Sequence, residues 1–235
     1  MTERGRAALR RTDDHLAIGP SALAWDGTTL TIDIAEIAAP LPRRLRGTVR
    51  LHAGALGTIG FALDAAGRHH WQPLAAHARI EVALQRPALR WSGTAYFDHN
   101  RGDEALESGF AHWQWSRSTL PDRTLIAYDA VRRDGSALAL ALACTPGGDV
   151  VAMPVQPAIA LPPTRWRLPR TLRGETAKLA ATLEDAPFYG RSLLHTRLGG
   201  QAALTVHETL SLDRFRAPWV QALLPLRMPR RGGGG

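Results

Sequence analysis

Apolar and polar residues alternate along most of the chain. Leu30, Ile32 and Ile34 are separated by Thr31 and Asp33, the period of two that makes a half-buried β-strand. Ile80, Val82 and Leu84 repeat the pattern around Glu81 and Ala83, and Leu138, Leu140 and Leu142 alternate with alanines. Asp134-Gly135 stands between the apolar runs 125–131 and 137–143, which predicts a β-hairpin. Gly199-Gly200 predicts a second hairpin between 192–197 and 202–212. Gly27, Gly47, Gly67 and Gly93 punctuate the remainder, so the chain reads as all-β, a sandwich or a barrel. Only short helices fit, near 2–10, 104–110 and 218–224.

Pro154, Pro157, Pro162 and Pro163 predict an extended linker at 154–163 rather than a strand. It would divide a first region, 1–153, from a second β-rich region, 164–231, with a low-complexity, disordered glycine tail at 232–235.

Composition narrows the function classes. Of 235 residues, 45% are hydrophobic and 21% charged, as in a globular protein. No stretch approaches the ~20 apolar residues of a membrane span, and residues 1–6 lack the apolar core of a signal peptide. The single Cys144 excludes an internal disulfide and a cysteine metal cluster, and it reads as a packing residue at the end of an Ala/Leu strand. The net charge is +8, and all but one of the 29 basic residues are arginine. They are spread over Arg10-Arg11, Arg43-Arg44-Arg46, Arg132-Arg133, Arg165-Arg167-Arg170 and Arg230-Arg231. Nucleic-acid binders more often gather such charge into one stripe with aromatics between, so no nucleic-acid partner is expected. A dispersed basic surface suits an anionic membrane face, or is simply solvated charge.

The chemistry concentrates in 96–117. On a strand over 89–98, Leu89, Trp91, Gly93, Ala95 and Phe97 share one face, and Arg90, Ser92, Thr94, Tyr96 and Asp98 share the other. Tyr96 and Asp98 then point the same way, ~7 Å apart. In an apolar lumen, burial penalises the charged carboxylate and favours the acid form, which makes Asp98 a general acid. The alternative is that Asp98 caps the following turn. His69 and Trp71 form another i, i+2 pair, for which loop packing is the alternative. His69 and His70 face opposite sides and cannot chelate together, and the nine histidines show no ligand spacing, so no metal is expected. Trp91, Phe97, Trp113 and Trp115 are the expected substrate-binding surface. Packing accounts for most of the seven tryptophans, yet a π-lined cavity also stabilises a carbocation, by ~2 kcal/mol or more per desolvated contact. Asp103, Glu104 and Glu107 read as helix N-terminal charges or partners for Arg117. Nucleophile elbow, phosphate loop and dinucleotide fingerprint are all missing, so no cofactor is expected.

Several separated motifs resemble the carotenoid 1,2-hydratases, also called hydroxyneurosporene synthases. They are Ala17-Ile18-Gly19-Pro20-Ser21 with Trp25-Asp26-Gly27, then Tyr96-Phe97-Asp98-His99-Asn100-Arg101-Gly102-Asp103-Glu104 with Leu106-Glu107, Phe110 and Trp113-Gln114-Trp115-Ser116-Arg117, then Leu212-Asp213-Arg214-Phe215 with Pro218-Trp219-Val220. The likeness covers essentially the whole chain. It departs at Ala105, where the family favours Pro, and at Gln72, where it favours a second aromatic, a change expected to alter pocket shape. The resemblance implies tandem lipocalin-like (calycin-type) β-barrels and a cofactor-free hydro-lyase. Such an enzyme adds water to the terminal C1–C2 double bond of acyclic carotenoids of the neurosporene or lycopene type. It implies catalytic roles for Asp98, Tyr96, His69 and Trp71: Asp98 protonates C2, Trp71 and Tyr96 stabilise the C1 cation, and His69 or the Asp98 carboxylate positions water. Family members begin some tens of residues earlier, so the first barrel is expected to lack an N-terminal strand region. A substrate drawn from lipid implies a peripheral protein on the cytoplasmic face of the bacterial inner (photosynthetic) membrane, anchored by 218–231 through Trp219 and Arg230-Arg231. A polyene cyclase or pericyclase, and a non-catalytic carotenoid or lipid carrier, use the same scaffold and are the alternatives.

Overall fold

The computed structural model describes residues 4–38 and 42–227, with the backbone alone for 225–227. The glycine tail and Arg230-Arg231 lie outside the described residues. Nearly all regular structure is antiparallel β, as the alternation requires. The first sheet contains β1 (Leu9–Arg11), β2 (His15–Ile18), β3 (Ser21–Trp25), β4 (Thr29–Ala38), β5 (Arg43–His52), β6 (Phe61–Ala62), β7 (His69–Arg86) and β8 (Ala88–Gly102). Its order is β1-β2-β3-β4-β5-β7-β6, with β8 paired to β7. The alternating apolar residues share one face, where Leu23, Ile32, Ile80 and Phe97 pack on Leu30, Leu51, Ala75, Ala78 and Ala95.

A short helix, α1 (Leu106–Gly109), leads into the second sheet. That sheet is formed by β9 (Phe110–Thr119), β10 (Thr124–Arg132), β11 (Ala137–Cys144) and β12 (Val150–Ala152), then β15 (Thr176–Asp185), β16 (Tyr189–Leu198) and β17 (Gln201–Ser211). Its order is β12-β11-β10-β9-β17-β16-β15. Between the two sets, β13 (Ala158–Leu161) pairs with β14 (Arg170–Arg173). Both predicted hairpins form: Val131 pairs with Ala137, and Leu198 with Gln201. Gly199 and Gly200 turn at φ of 56° and 77°, a conformation glycine adopts at little cost.

The proline-rich segment 154–163 does not divide the sheets. It contains β13, and β9 pairs directly with β17 across it. The change of sheet falls instead between β8 and β9. Proline lacks one N–H but still permits an edge strand, and Ala158 to Leu161 is the proline-free stretch that forms it. A further short helix, α2 (Leu212–Phe215), starts where Ser211 accepts the Arg214 backbone N–H, and α3 spans Pro218–Arg227.

The main core joins both sheets: Leu63, Trp71 and Ala76 meet Phe110, Ile126, Tyr128, Ala130, Leu142 and Cys144. Burial pushes the Cys144 thiol up to about 11, as suits a packing residue. The opposite face of the second sheet carries buried polar residues that bond among themselves and to the segment before β14. Ser118 Oγ lies 2.6 Å from Thr205 Oγ1, and Gln114 Nε2 donates to Thr209 Oγ1 at 2.9 Å.

One irregularity positions the site. Near the turn, β7 and β8 pair as Ile80 with Gly93, whereas at the far end Trp71 faces Asn100 and Pro73 faces Asp98. Register shifts between Pro73, Ala75 and Ala78 absorb two extra residues in β7. Each one-residue shift exchanges the faces of the strand and the second undoes the first. Without them Trp71 would stand opposite Gly102, ~7 Å further from Asp98 along the strand.

Candidate active site

Asp98 projects from β8 on the same side as Tyr96, as strand alternation requires. Its Oδ2 accepts the Trp71 Nε1–H at 2.8 Å and the Tyr96 hydroxyl at 3.2 Å. Asp98 is therefore tied to two aromatic side chains and does not cap the turn that follows. Both donors converge on one oxygen.

These groups form one wall of a cavity of about 330 Å³. Trp71, Tyr96, Asp98 and Asn100 come from the β7–β8 hairpin; Trp113, Trp115, Tyr128, Arg191 and Glu208 come from the second sheet. Cross-strand register builds the second wall. Tyr128 of β10 faces Trp115 of β9, Trp115 faces Glu208 of β17, and Glu208 faces Arg191 of β16. Four neighbouring strands thus present one row of directly opposed side chains on a single face. The aromatic rings interlock across the cavity. Trp71 meets Tyr128 edge-on at 5.3 Å, Tyr96 lies 5.1 Å from Trp115, and the Arg117 guanidinium sits 5.5 Å over the Tyr96 ring.

Electrostatics keep the phenols neutral. Burial first, and then the adjacent Asp98 charge, hold Tyr96 and Tyr128 well above the usual phenol range. Tyr96 is thus fixed as a hydrogen-bond donor. At the side of the cavity, Arg191 Nε donates to Glu208 Oε1 at 2.9 Å, and the Arg191 guanidinium also lies 5.6 Å over the Tyr189 ring.

The structure brings together Asp98, Tyr96, Trp71, Trp113 and Trp115, but not the other expected residues. His69 is 1% exposed and lies outside the cavity lining. It is wedged between Gly102 and Gly109, where a Cβ would come within 2.8 and 2.7 Å of the ring. Its Nδ1 is 2.9 Å from Asp64 Oδ2, and its ring meets Phe110 edge-on at 4.9 Å. Burial works against the Asp64 charge. Hydrogen bonds from the Arg68 and His69 backbone and the His69 ring outweigh it and hold the carboxyl at about 2.

Trp91 and Phe97 stand on the face of β8 opposite Asp98, because their numbers are odd and the strand alternates. Trp91 is 47% exposed beside Arg50 and Arg90, while Phe97 packs in the first sheet's core. Gln72 points away from Trp71 and donates to the Gly57 carbonyl at 2.9 Å, so this departure does not enter the cavity wall. Nor do the acidic residues after Asp98 pair with Arg117: Glu104 bridges to Arg68 at 3.1 Å, and the Glu107 carbonyl accepts from Arg133. Sequence reasoning missed Asp64, Tyr128, Arg191 and Glu208. Tyr128 carried a signal, as a lone aromatic on an alternating strand. Glu208 and Arg191 join the site only through long-range pairing. Among the described residues, no group of three or more His, Cys, Asp or Glu side chains stands close enough to hold a metal ion.

The chain is similar over 99% of its length to the acyclic carotenoid 1,2-hydratases of Thiocapsa roseopersicina, at 52% identity, and Rhodobacter capsulatus, at 40% identity. It spans 58% of the length of the first and 84% of the second. The crystal structure of an AttH protein from Nitrosomonas europaea matches with a TM-score of 0.56 at 16% identity, over 87% of this chain and 71% of that one, a likeness of fold. The family model for the carotenoid hydratase CrtC matches residues 1–234, and the chain belongs to that family.

Proposed function

We propose that this chain adds water to the terminal C1–C2 double bond of an acyclic carotenoid, with Asp98 as the acid. The observation that carries this reading is a carboxyl group held by Trp71 and Tyr96 inside a cavity walled by aromatic rings. The names of the similar proteins supply the substrate class. A cavity of about 330 Å³ suits the end of a polyene, with the rest of the substrate extending out of it.

The acid form of Asp98 gives its proton to C2, and the alkene electron pair forms the new C–H bond. The positive charge falls on C1, the more substituted carbon. Trp71, Tyr96, Trp113 and Trp115 line the cavity that would hold it, and each desolvated cation–π contact is worth ~2 kcal/mol. The Trp71 and Tyr96 donors then steady the carboxylate left behind, in place before the charge appears. Water attacks C1 to give a tertiary alcohol. No step calls for a cofactor.

Membrane association is part of the proposal, because such a substrate resides in lipid. Trp166 and Trp219 stack at 5.9 Å and are each 43% exposed, as is Leu223 on the same helix as Trp219. Exposed Arg165 and Arg167 flank Trp166. Paired indoles with adjacent arginines suit the headgroup region of an anionic bilayer at the cytoplasmic face of the bacterial inner membrane.

Product analysis tests the reading. The chain is expressed in a lycopene-producing host and the carotenoids are separated by mass and polarity. A 1-hydroxy product is expected. A ring-containing isomer would replace hydration by cyclisation, and unchanged lycopene bound to the protein would indicate a carrier.

A further inference from the structure

We infer that Glu208 is the base that takes the proton from the attacking water, on the wall opposite Asp98. This rests on the hydration reading and extends it to a residue outside the expected site.

When water adds to the C1 cation, the oxygen lone pair forms the C1–O bond and one O–H bond must then break. Its proton needs an acceptor inside the cavity. His69 is not in the cavity wall: Asp64 holds its Nδ1 and two glycines enclose its ring. Asp98 has just supplied a proton from the hairpin wall. Glu208 is the other carboxylate in the cavity wall and comes from the facing sheet. It stands directly opposite Trp115, whose ring neighbours Tyr96. A polyene end between the walls therefore has the acid on one side and Glu208 on the other.

The surroundings suit a base. Arg191 Nε holds Glu208 Oε1 at 2.9 Å, which orients the carboxylate. The Glu208 side chain is 21% exposed and that of Arg191 44%, so water reaches this side of the cavity. Tyr128 lies in the same row and feels the charge of both carboxylates. The cycle balances. Asp98 loses a proton to C2, Glu208 gains one from water, and the proton returns from Glu208 to Asp98 through solvent before the next turnover. Aromatic surface shields the cation from the protein side, and water arrives from the carboxylate side.

The test separates cation formation from water capture. Lycopene is incubated with wild type, Glu208→Gln and Asp98→Asn proteins in deuterium oxide, and both the tertiary alcohol and the deuterium in recovered alkene are measured. Folding is monitored by near-ultraviolet circular dichroism of the tryptophans. Glu208→Gln is expected to lose alcohol formation by ~10²-fold or more while deuterium still enters the recovered alkene, because the cation forms with a new C2–D bond and returns to alkene by losing the C2–H proton to the Asp98 carboxylate. Asp98→Asn should lose both. Glu208→Asp, which keeps a carboxylate, should form more alcohol than Glu208→Gln, and it also serves if the Gln variant does not fold. The inference is overturned if folded Glu208→Gln makes alcohol within about threefold of wild type, if it loses exchange together with alcohol, or if Glu208→Asp is no better than Glu208→Gln. Asp98→Asn retaining both signals would overturn the acid assignment itself, a distinct failure.

Discussion

The Trp71 indole N–H donates to Asp98 Oδ2 at 2.8 Å, although the residue directly across the hairpin from Asp98 is Pro73. The indole reaches back along the strand because the β7 register shifts draw Trp71 towards Asp98. Trp71 thus orients the carboxyl through its indole N–H and lines the cavity wall, and under the proposed mechanism its ring has a second job, stabilising the cation.

Substitution separates these jobs. Trp71→Phe and Trp71→Leu both remove the donor, but only Phe keeps a π face. We expect partial activity in Trp71→Phe and a larger loss in Trp71→Leu, measured as hydration rate at equal folded fraction. Both should lower stability by about 1–3 kcal/mol, because Trp71 is 1% exposed and packs in the main core. Equal rates would leave Trp71 as a packing and orienting residue only.

The Asp64–His69 pair predicts a pH-dependent contribution to stability. Asp64 sits at about 2 when folded, against ~3.9 in an unfolded chain. A depressed folded value means that the contribution is fully present above about pH 4 and is lost as pH falls towards 2. Asp64→Asn should therefore destabilise the protein at neutral pH and flatten the decline between about pH 4 and 2. Urea unfolding at stepped pH checks this. Parallel declines in both proteins would show that Asp64 does not supply the linkage.

Much of this arrangement was legible along the chain. Alternation at 30–34 and 80–84, the Asp134-Gly135 and Gly199-Gly200 turns, and the shared face of Tyr96 and Asp98 are local properties, and the structure bears them out. What stayed hidden is non-local. Nothing in residues 110–119 reveals that they pair with 205–211, so Glu208 and Arg191 could not be placed in the site. Prolines at 154–163 obscured a short strand, and aromatic identity drew Trp91 and Phe97 towards a site from which strand parity excludes them. His69 kept its partner hidden because Asp64 lies in the turn before β7, where no periodicity marks a side chain's direction.

Metal removal should leave activity unchanged. The proposed chemistry needs only side chains and water, and the described residues hold no metal-binding cluster. Rates before and after exhaustive chelation and dialysis should agree. Loss of activity that one particular divalent ion restores would contradict the mechanism.

Binding to membranes should depend on the Trp166–Trp219 pair and on lipid charge. Each arginine at an anionic surface contributes ~1 kcal/mol and is screened by salt. The double variant Trp166→Ala/Trp219→Ala should float less with anionic liposomes, and wild-type flotation should fall as salt rises. Equal flotation with neutral and anionic vesicles, or an unaffected double variant, would place the contact elsewhere.

The most direct test of the central claim is the hydration rate of Asp98→Asn. The substitution keeps shape and an oxygen for the Trp71 and Tyr96 donors, so fold and carotenoid binding should persist, while the transferable proton is gone. The account predicts a loss of ~10²-fold or more in turnover, with bound carotenoid still detected by its absorption spectrum. Turnover within about threefold of wild type, in a folded protein, would contradict Asp98 as the acid.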